Sequence, residues 1–348
     1  MVERFSLSWK DIVGHESQIK YLIHAWQTNR LGQAYFFHGP DGVGKRTLAI
    51  EFGKALLCQS NSTYEACGVC ASCKLVEAEN HPDLQTNGCP KDVHEFPREL
   101  MKEICEGFFL KASRGGAKVL VIDDCDLLNE ESGNIFLKSL EEPPPHSIIF
   151  LIGTSVERQL ETILSRCQKL SFHGLNQSEI AKVFAINQIE GGFDLNKITS
   201  ACGGSVSQAI MLTNPEFSQV EDSFFAEIIM PMPDPVKLVK MIMDFIEGAG
   251  KETSVQRVRA RWLVHGTLSW LRGQIILKSN SDDSKPRPRF QLLETVSIEK
   301  VLAMLEVCFQ AEHQIQRRVQ LSLSIQWWVD GLIWADSLSD FDSHVGAF

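Results

Sequence analysis

Gly39-Pro40-Asp41-Gly42-Val43-Gly44-Lys45-Arg46-Thr47 follows the apolar run Ala34-Tyr35-Phe36-Phe37 and precedes a segment of helical character, so the stretch reads as strand, glycine-rich loop, helix. That is the setting of a phosphate-binding loop. Gly39, Gly42 and Gly44 let successive backbone N–H groups turn inward, the helix N-terminus adds positive potential, and Lys45 reaches the outer phosphates of a bound nucleotide. A glycine turn with an incidental lysine is the competing reading, and the flanking strand and helix weigh against it. Position 46 departs from the pattern. A Ser or Thr hydroxyl there would hold Mg²⁺, but the chain has Arg46, and Thr47 comes one residue late, about 100° further around the helix.

Such a loop needs an acidic strand end as its partner. Ala117 to Ile122 reads as a strand buried on both faces, and it ends in Asp123-Asp124. Asp123 is suited to orient Mg²⁺, while Asp124 stands where an ATPase of this kind usually has a water-activating Glu, one methylene longer. By itself the pair would be a solvated strand end; the upstream loop favours function. A second buried strand spans Ser147 to Ile152. Helices are expected over residues 99–112 and 134–142, the latter stopped by Pro143-Pro144-Pro145, with a short one before Ser165-Arg166-Cys167. The alternation predicts an α/β domain built on a parallel sheet, ending near Gly174.

Ten cysteines occur, and four of them cluster: Cys58, Cys67, Cys70 and Cys73 give C-x8-C-x2-C-x2-C. Four thiolates at this spacing suit a closed tetrahedral zinc site, structural because no position is left for water. Buried or redox-active thiols are the bland alternative, and an iron–sulfur cluster is a chemical one. His81-Pro82-Asp83 ends the helix that follows, and a strand is expected to start there.

After Asn176 the strand signals stop. Asn176 with Glu179, and Ser205 with Gln208, have capping-box spacing, which predicts a small helical unit over residues 175–213. Beyond it, apolar residues recur at helical spacing (Val301, Leu305, Cys308, Ile315, Val319), so residues 214–348 read as all-helical. Trp262, Trp270, Trp327, Trp328 and Trp334 fall in this part, most of them expected in its core. Ser279 to Arg289 reads as a mobile loop.

The chain has 348 residues, with 34 basic against 44 acidic and a net charge of -10, which argues against a protein that grips nucleic acid over its whole surface. Neither a signal sequence nor an apolar run of bilayer length is present, so a cytoplasmic protein without membrane contact is expected.

Taken together, the motifs resemble the clamp-loader branch of the AAA+ superfamily, and within it the delta-prime subunits of bacterial DNA polymerase III. The resemblance covers about residues 5–213 and rests on Trp9-Lys10-Asp11-Ile12-Val13-Gly14-His15, Gly39 to Lys45, the four cysteines, His81-Pro82-Asp83, the acidic strand end, Leu137-Lys138-Ser139-Leu140-Glu141-Glu142-Pro143-Pro144 and Ser165-Arg166-Cys167. It implies a RecA-like nucleotide domain (residues 1–174) with a zinc module at 58–73, a helical lid (175–213) and a helical collar (214–348) that joins a five-subunit ring. The implied partners are motor (gamma/tau) and delta subunits, with the sliding clamp and primer-template DNA reached through the complex. By position, Arg166 would be an arginine finger aimed at the γ-phosphate of ATP on a neighbour, Thr154 the polar sensor of the fourth strand, and the four cysteines zinc ligands. The second sensor, an Arg in a Gly-Ser-x-Arg-x-Ala pattern, is replaced: Gly204-Ser205-Val206-Ser207-Gln208-Ala209 has Ser207 in that slot.

Arg46, Asp124 and Ser207 are therefore three departures from a working ATPase, and a single transition-state contact of this kind is worth about 10²- to 10³-fold. Negligible hydrolysis at this chain's own site is expected, with ATP or ADP binding left open and Arg46 standing in for Mg²⁺. The alternative is an active motor subunit of the same machine. A nucleic-acid-binding ribbon is a third reading of the cysteine module, but Lys74 is the only basic residue from Ser60 to Lys74.

Overall fold

A computed structural model describes residues 11–60, 64–90, 93, 95–113, 116–189, 191, 193, 195–250, 253–279, 296–317 and 319–335. Trp9-Lys10, Arg114-Gly115, the expected loop beyond Ser279 and the last dozen residues lie outside this set. Two compact units are present. The first runs to Thr199 and includes Gly203–Ser207; the second comprises Ser200–Cys202 and the chain from Gln208 onward.

The first unit is a five-stranded parallel sheet with helices on both faces, the α/β architecture expected from the alternation of strands and helices. Its strands are β1 (Ala34–His38), β2 (Leu84–Asn87), β3 (Lys118–Ile122), β4 (Ser147–Gly153) and β5 (Gln168–Ser171), in the order β2-β3-β4-β1-β5. All pairings are parallel, with Phe36 opposite Leu151, Ile122 opposite Leu151 and Thr86 opposite Val121. The central strands β1, β3 and β4 are almost wholly buried, as continuous apolar runs in parallel sheets should be. On one face Phe36, Leu120 and Ile149 pack with Met101 and Phe108 of α4 (Arg98–Phe109) and Phe136 of α5 (Glu130–Glu141). On the other, Phe150 meets Tyr35 at 5.8 Å, Phe37 at 5.2 Å and Phe52 of α2 (Lys45–Leu57) at 5.9 Å. Each such ring contributes about 2–3 kcal/mol by leaving water.

Three elements differ from expectation: the helix expected over residues 99–112 ends at Phe109, because Leu110 is already extended. Helix α5 starts at Glu130 rather than Asn134, because Asn129 caps it by accepting from the Ser132 N–H at 2.9 Å and Glu130 and Glu131 complement its N-terminal dipole. Strand β5 has no counterpart in the sequence reading. Its residues Gln168-Lys169-Leu170-Ser171 are mostly exposed at the sheet edge, so only backbone pairing with Tyr35–His38 marks it as a strand. The first capping box is realised at α7 (Gln177–Ile186): Asn176 accepts from Glu179 N–H, and the Glu179 carboxylate accepts from Asn176 N–H at 2.7 Å.

The second unit is helical: α10 (Pro215–Ile228), α11 (Pro235–Glu247), α12 (Thr253–Ser279), α13 (Ile298–Gln316) and α14 (Leu321–Ile333) enclose one apolar core. Trp328 is fully buried, stacked on Phe224 at 5.4 Å, with its indole N–H donating to Cys308 Sγ; Trp270 stacks on Phe225 at 4.6 Å. Trp334 is 62% exposed and so is not a core residue. Among the described residues no helix is long and apolar enough to cross a membrane.

Candidate functional site

The glycine-rich loop joins β1 to α2 at the C-terminal edge of the sheet, where open α/β sheets place ligands. Gly39 N–H donates to the Thr154 carbonyl at 3.0 Å, tying the start of the loop to the end of β4. Gly42 (φ 73°) and Gly44 (φ 106°, the residue before α2) lie in the left-handed region. Gly42 also has a steric reason: a Cβ there would sit 2.5 Å from Ser205 Oγ and 2.6 Å from Ser207 Oγ. The carbonyl of Gly42 accepts from Val206 N–H at 2.9 Å. The Gly204-Ser205-Val206-Ser207 segment is thus laid directly on the loop.

Lys45 is 5% exposed, and its ammonium donates to the carbonyls of Gly39 (2.5 Å) and Pro40 (2.7 Å). Burial lowers its pKa, against the attraction of Asp41, Asp123 and Asp126. Arg46 Nε lies 3.8 Å from Asp123 Oδ2. Burial raises the Asp123 carboxyl and the Arg46 guanidinium pulls it back. Asp124 is exposed, has φ 53°, and its backbone N–H donates to Asp123 Oδ1 at 3.1 Å; its carboxylate leans toward Gly88. Thr47 follows Arg46 in the first turn of α2.

Two residues that sequence reasoning did not single out belong here. Asp126, in the 3-10 turn Cys125–Leu127, accepts from both the Thr154 N–H (2.7 Å) and the Thr154 hydroxyl (2.6 Å), while its Oδ1 is buried with no hydrogen-bond partner. A third carboxylate so close to the acidic pair was the available signal. His15 Nε2 is 2.8 Å from the Val43 carbonyl, and the ring packs on Phe172 at 4.8 Å; burial lowers its pKa, so it stays neutral at pH 7. The N-terminal motif ends here, against the loop.

Arg166 lies just after α6 (Glu161–Leu164), apart from this loop's own contacts. Its Nη2 pairs with Glu141 Oε1 at 2.6 Å, and its Nη1 donates to the Thr162 carbonyl (2.8 Å) and Ser165 Oγ (3.2 Å).

The four expected metal ligands converge. Their sulfurs all lie within 4.8 Å of one another, with Cys58–Cys70 and Cys67–Cys73 at 4.0 Å, and all four are free thiols. A tetrahedral zinc with bonds of about 2.3 Å sets its sulfurs about 3.8 Å apart, so the cluster fits a metal of that geometry. Backbone N–H groups of Cys67, Cys70 and Cys73 point at Cys58, Cys67 and Cys70 Sγ respectively, which favours thiolates. Such bonds, from Val69 and Cys70, bring the Cys67 thiol down to about 6. The module is anchored twice. Buried Lys54 of α2 pairs with Glu77 of α3 (Ala71–Glu77) at 2.8 Å, and buried His81 lies 3.3 Å from Ser72 Oγ while Asp83 accepts from Ser113 N–H.

Residues 14–176 match the family model described as DNA polymerase III, delta subunit. The chain is 34% identical to DNA polymerase III subunit tau/gamma of Haemophilus influenzae over 213 residues, covering 60% of this chain and 30% of that one. To DNA polymerase III subunit delta' of Escherichia coli it is 34% identical over 147 residues, covering 42% and 44%. Protein STICHEL-like 2 of Arabidopsis thaliana is 26% identical over 341 residues, 92% of this chain and 39% of that protein. The chain therefore spans less than half the length of each of these relatives.

Proposed function

We propose that this chain is a clamp-loader subunit of the delta-prime type, a stator that supplies Arg166 in trans to ATP held by a neighbouring motor subunit while a sliding clamp is loaded on primer-template DNA. In this reading residues 175–213 are the lid and residues 214–348 the collar through which a hetero-pentamer assembles with gamma/tau and delta subunits. Cys58, Cys67, Cys70 and Cys73 hold a structural zinc, which would supply cross-linking rather than catalysis.

One observation carries the reading: Arg46 sits 3.8 Å from Asp123, so a cation of the chain itself stands beside the carboxylate that would orient Mg²⁺. Asp124, withdrawn by a methylene and leaning toward Gly88, and Ser207 in place of the sensing Arg point the same way. Arg166, in contrast, is partly exposed and lies outside the chain's own loop, as a residue offered to another subunit should be. The retained Gly39, Gly42, Gly44 and Lys45 keep the loop as a scaffold that fixes β1, β4 and the lid segment.

The motor reading has one observation in its favour, the 34% identity to a tau/gamma subunit over 213 residues. Steady-state ATP turnover decides between the two. The stator is inert alone and raises turnover when mixed with motor and delta subunits. Turnover by the chain alone at the motor's rate, abolished by Lys45→Ala, would establish the motor reading instead.

A further inference from the structure

Helix α5 ends in Glu141, with Glu142 as its C-cap, and the run of prolines stops it there. Two carboxylates at the negative end of a helix dipole are unfavourable unless a cation faces them. Lys138 lies in the last turn, and Arg166 faces Glu141 from the neighbouring segment. Its guanidinium lies where the ends of α5 and α6 meet, bonded to the Glu141 side chain at 2.6 Å and the Thr162 carbonyl at 2.8 Å, with Ser165 Oγ at 3.2 Å. Of the five N–H donors of an arginine, three are committed to these partners. The Nε–H and one Nη2–H remain for a ligand from outside. The Leu140-Glu141-Glu142-Pro143-Pro144 turn and the Ser165-Arg166-Cys167 tripeptide, separated by 25 positions between Glu141 and Arg166, are thus one structural unit.

We infer that Glu141 is the positioning residue for the trans-acting Arg166, holding the guanidinium extended and oriented before the neighbour's ATP arrives; this rests on the finger role given to Arg166 above. A free arginine side chain must lose its rotamer freedom when it engages a phosphate, whereas one already fixed at three donors loses less. The benefit falls on the transition state, because the finger is needed where charge develops during phosphoryl transfer. Glu141 touches neither nucleotide nor attacking water, so its effect runs through Arg166 alone.

The test is a double-mutant cycle in the reconstituted clamp-loader complex, with kcat and KM for ATP measured for Glu141→Ala, Arg166→Ala and the pair, and assembly checked by size-exclusion chromatography. Glu141→Ala should lower kcat about threefold to tenfold with KM unchanged, Arg166→Ala at least about 100-fold, and the double variant no further than Arg166→Ala. Glu141→Gln, which keeps an acceptor and the packing of α5, should recover part of the loss and stands in if the alanine variant does not fold. A wild-type kcat in both Glu141 variants beside a depressed Arg166→Ala would overturn the positioning role and leave the finger standing. A double variant slower than Arg166→Ala alone would equally overturn it. An unchanged Arg166→Ala would remove the finger assignment itself.

Discussion

Arg46 and Asp123 form an ion pair at 3.8 Å across the mouth of the glycine-rich loop, joining the first turn of α2 to the end of β3. Asp123 is the half-buried partner and Arg46 the more exposed one, so the guanidinium neutralises a carboxylate that burial would otherwise push toward protonation. A Ser or Thr at position 46 would leave that carboxylate to a metal. Nucleotide binding by the wild-type chain is accordingly expected to be indifferent to Mg²⁺, whereas Arg46→Ser should bind ATP at least about tenfold more tightly with Mg²⁺ than with EDTA. Titration of a fluorescent ATP analogue under both conditions checks this. Equal Mg²⁺ dependence in both proteins would mean that Arg46 does not occupy the metal's role.

Two of the three glycines of the loop, Gly42 and Gly44, are expected to respond differently to alanine. At Gly44 a Cβ meets nothing within 4 Å, so the cost is the left-handed backbone alone, about 1 kcal/mol. At Gly42 the same backbone penalty is joined by contacts of 2.5 and 2.6 Å with Ser205 and Ser207 Oγ. Gly42→Ala should therefore cost more and release the Val206 amide from the Gly42 carbonyl, read as faster hydrogen exchange at Val206 that Gly44→Ala does not show.

Metal removal should destabilise the first unit and not the module alone. One zinc per chain is expected by elemental analysis, and Cys67→Ser or strong chelation should lower the melting temperature by about 5–10 °C. Because Lys54–Glu77 and His81–Ser72 anchor the module to α2 and β2, the loss should reach the sheet rather than stay in the loop. A metal-free protein with the full melting temperature would refute the site.

Glu51, next to Lys54 in α2, is pushed up to about 7 by burial, with Lys54 opposing. Its folded pKa lies above the unfolded value of 4.5, so folding takes up a proton between them. The stability this group gives is complete below pH 4.5 and is lost as pH rises through 7, a fall on the order of 2 kcal/mol between pH 5 and pH 8. Denaturant unfolding at both pH values should show that fall in the wild type and a smaller one in Glu51→Gln.

Much of the fold could be read from periodicity. The central strands β1, β3 and β4 are buried on both faces, and continuous apolar runs announce that; β5 is an edge strand of exposed residues and announces nothing. The cysteines were legible because metal chemistry needs a fixed donor set at short spacing, and their sulfurs do converge. Asp126 and Glu141 were not, since their significance is a partner far along the chain: Thr154 for one, Arg166 for the other. Local pattern has no access to such pairs. His81-Pro82-Asp83 was recognised as a helix stop, but its second task, pinning α3 through Ser72, also needs the third dimension.

The central claim is that this chain acts on ATP it does not hold. Single-turnover hydrolysis in the reconstituted complex, with nucleotide affinity measured in parallel, tests it most directly by comparing wild-type chain with Arg166→Ala. The account predicts a rate lowered by at least about 100-fold with affinity unchanged, the pattern of a group that stabilises only the transition state. A wild-type rate in the Arg166→Ala complex, with assembly intact, would contradict it.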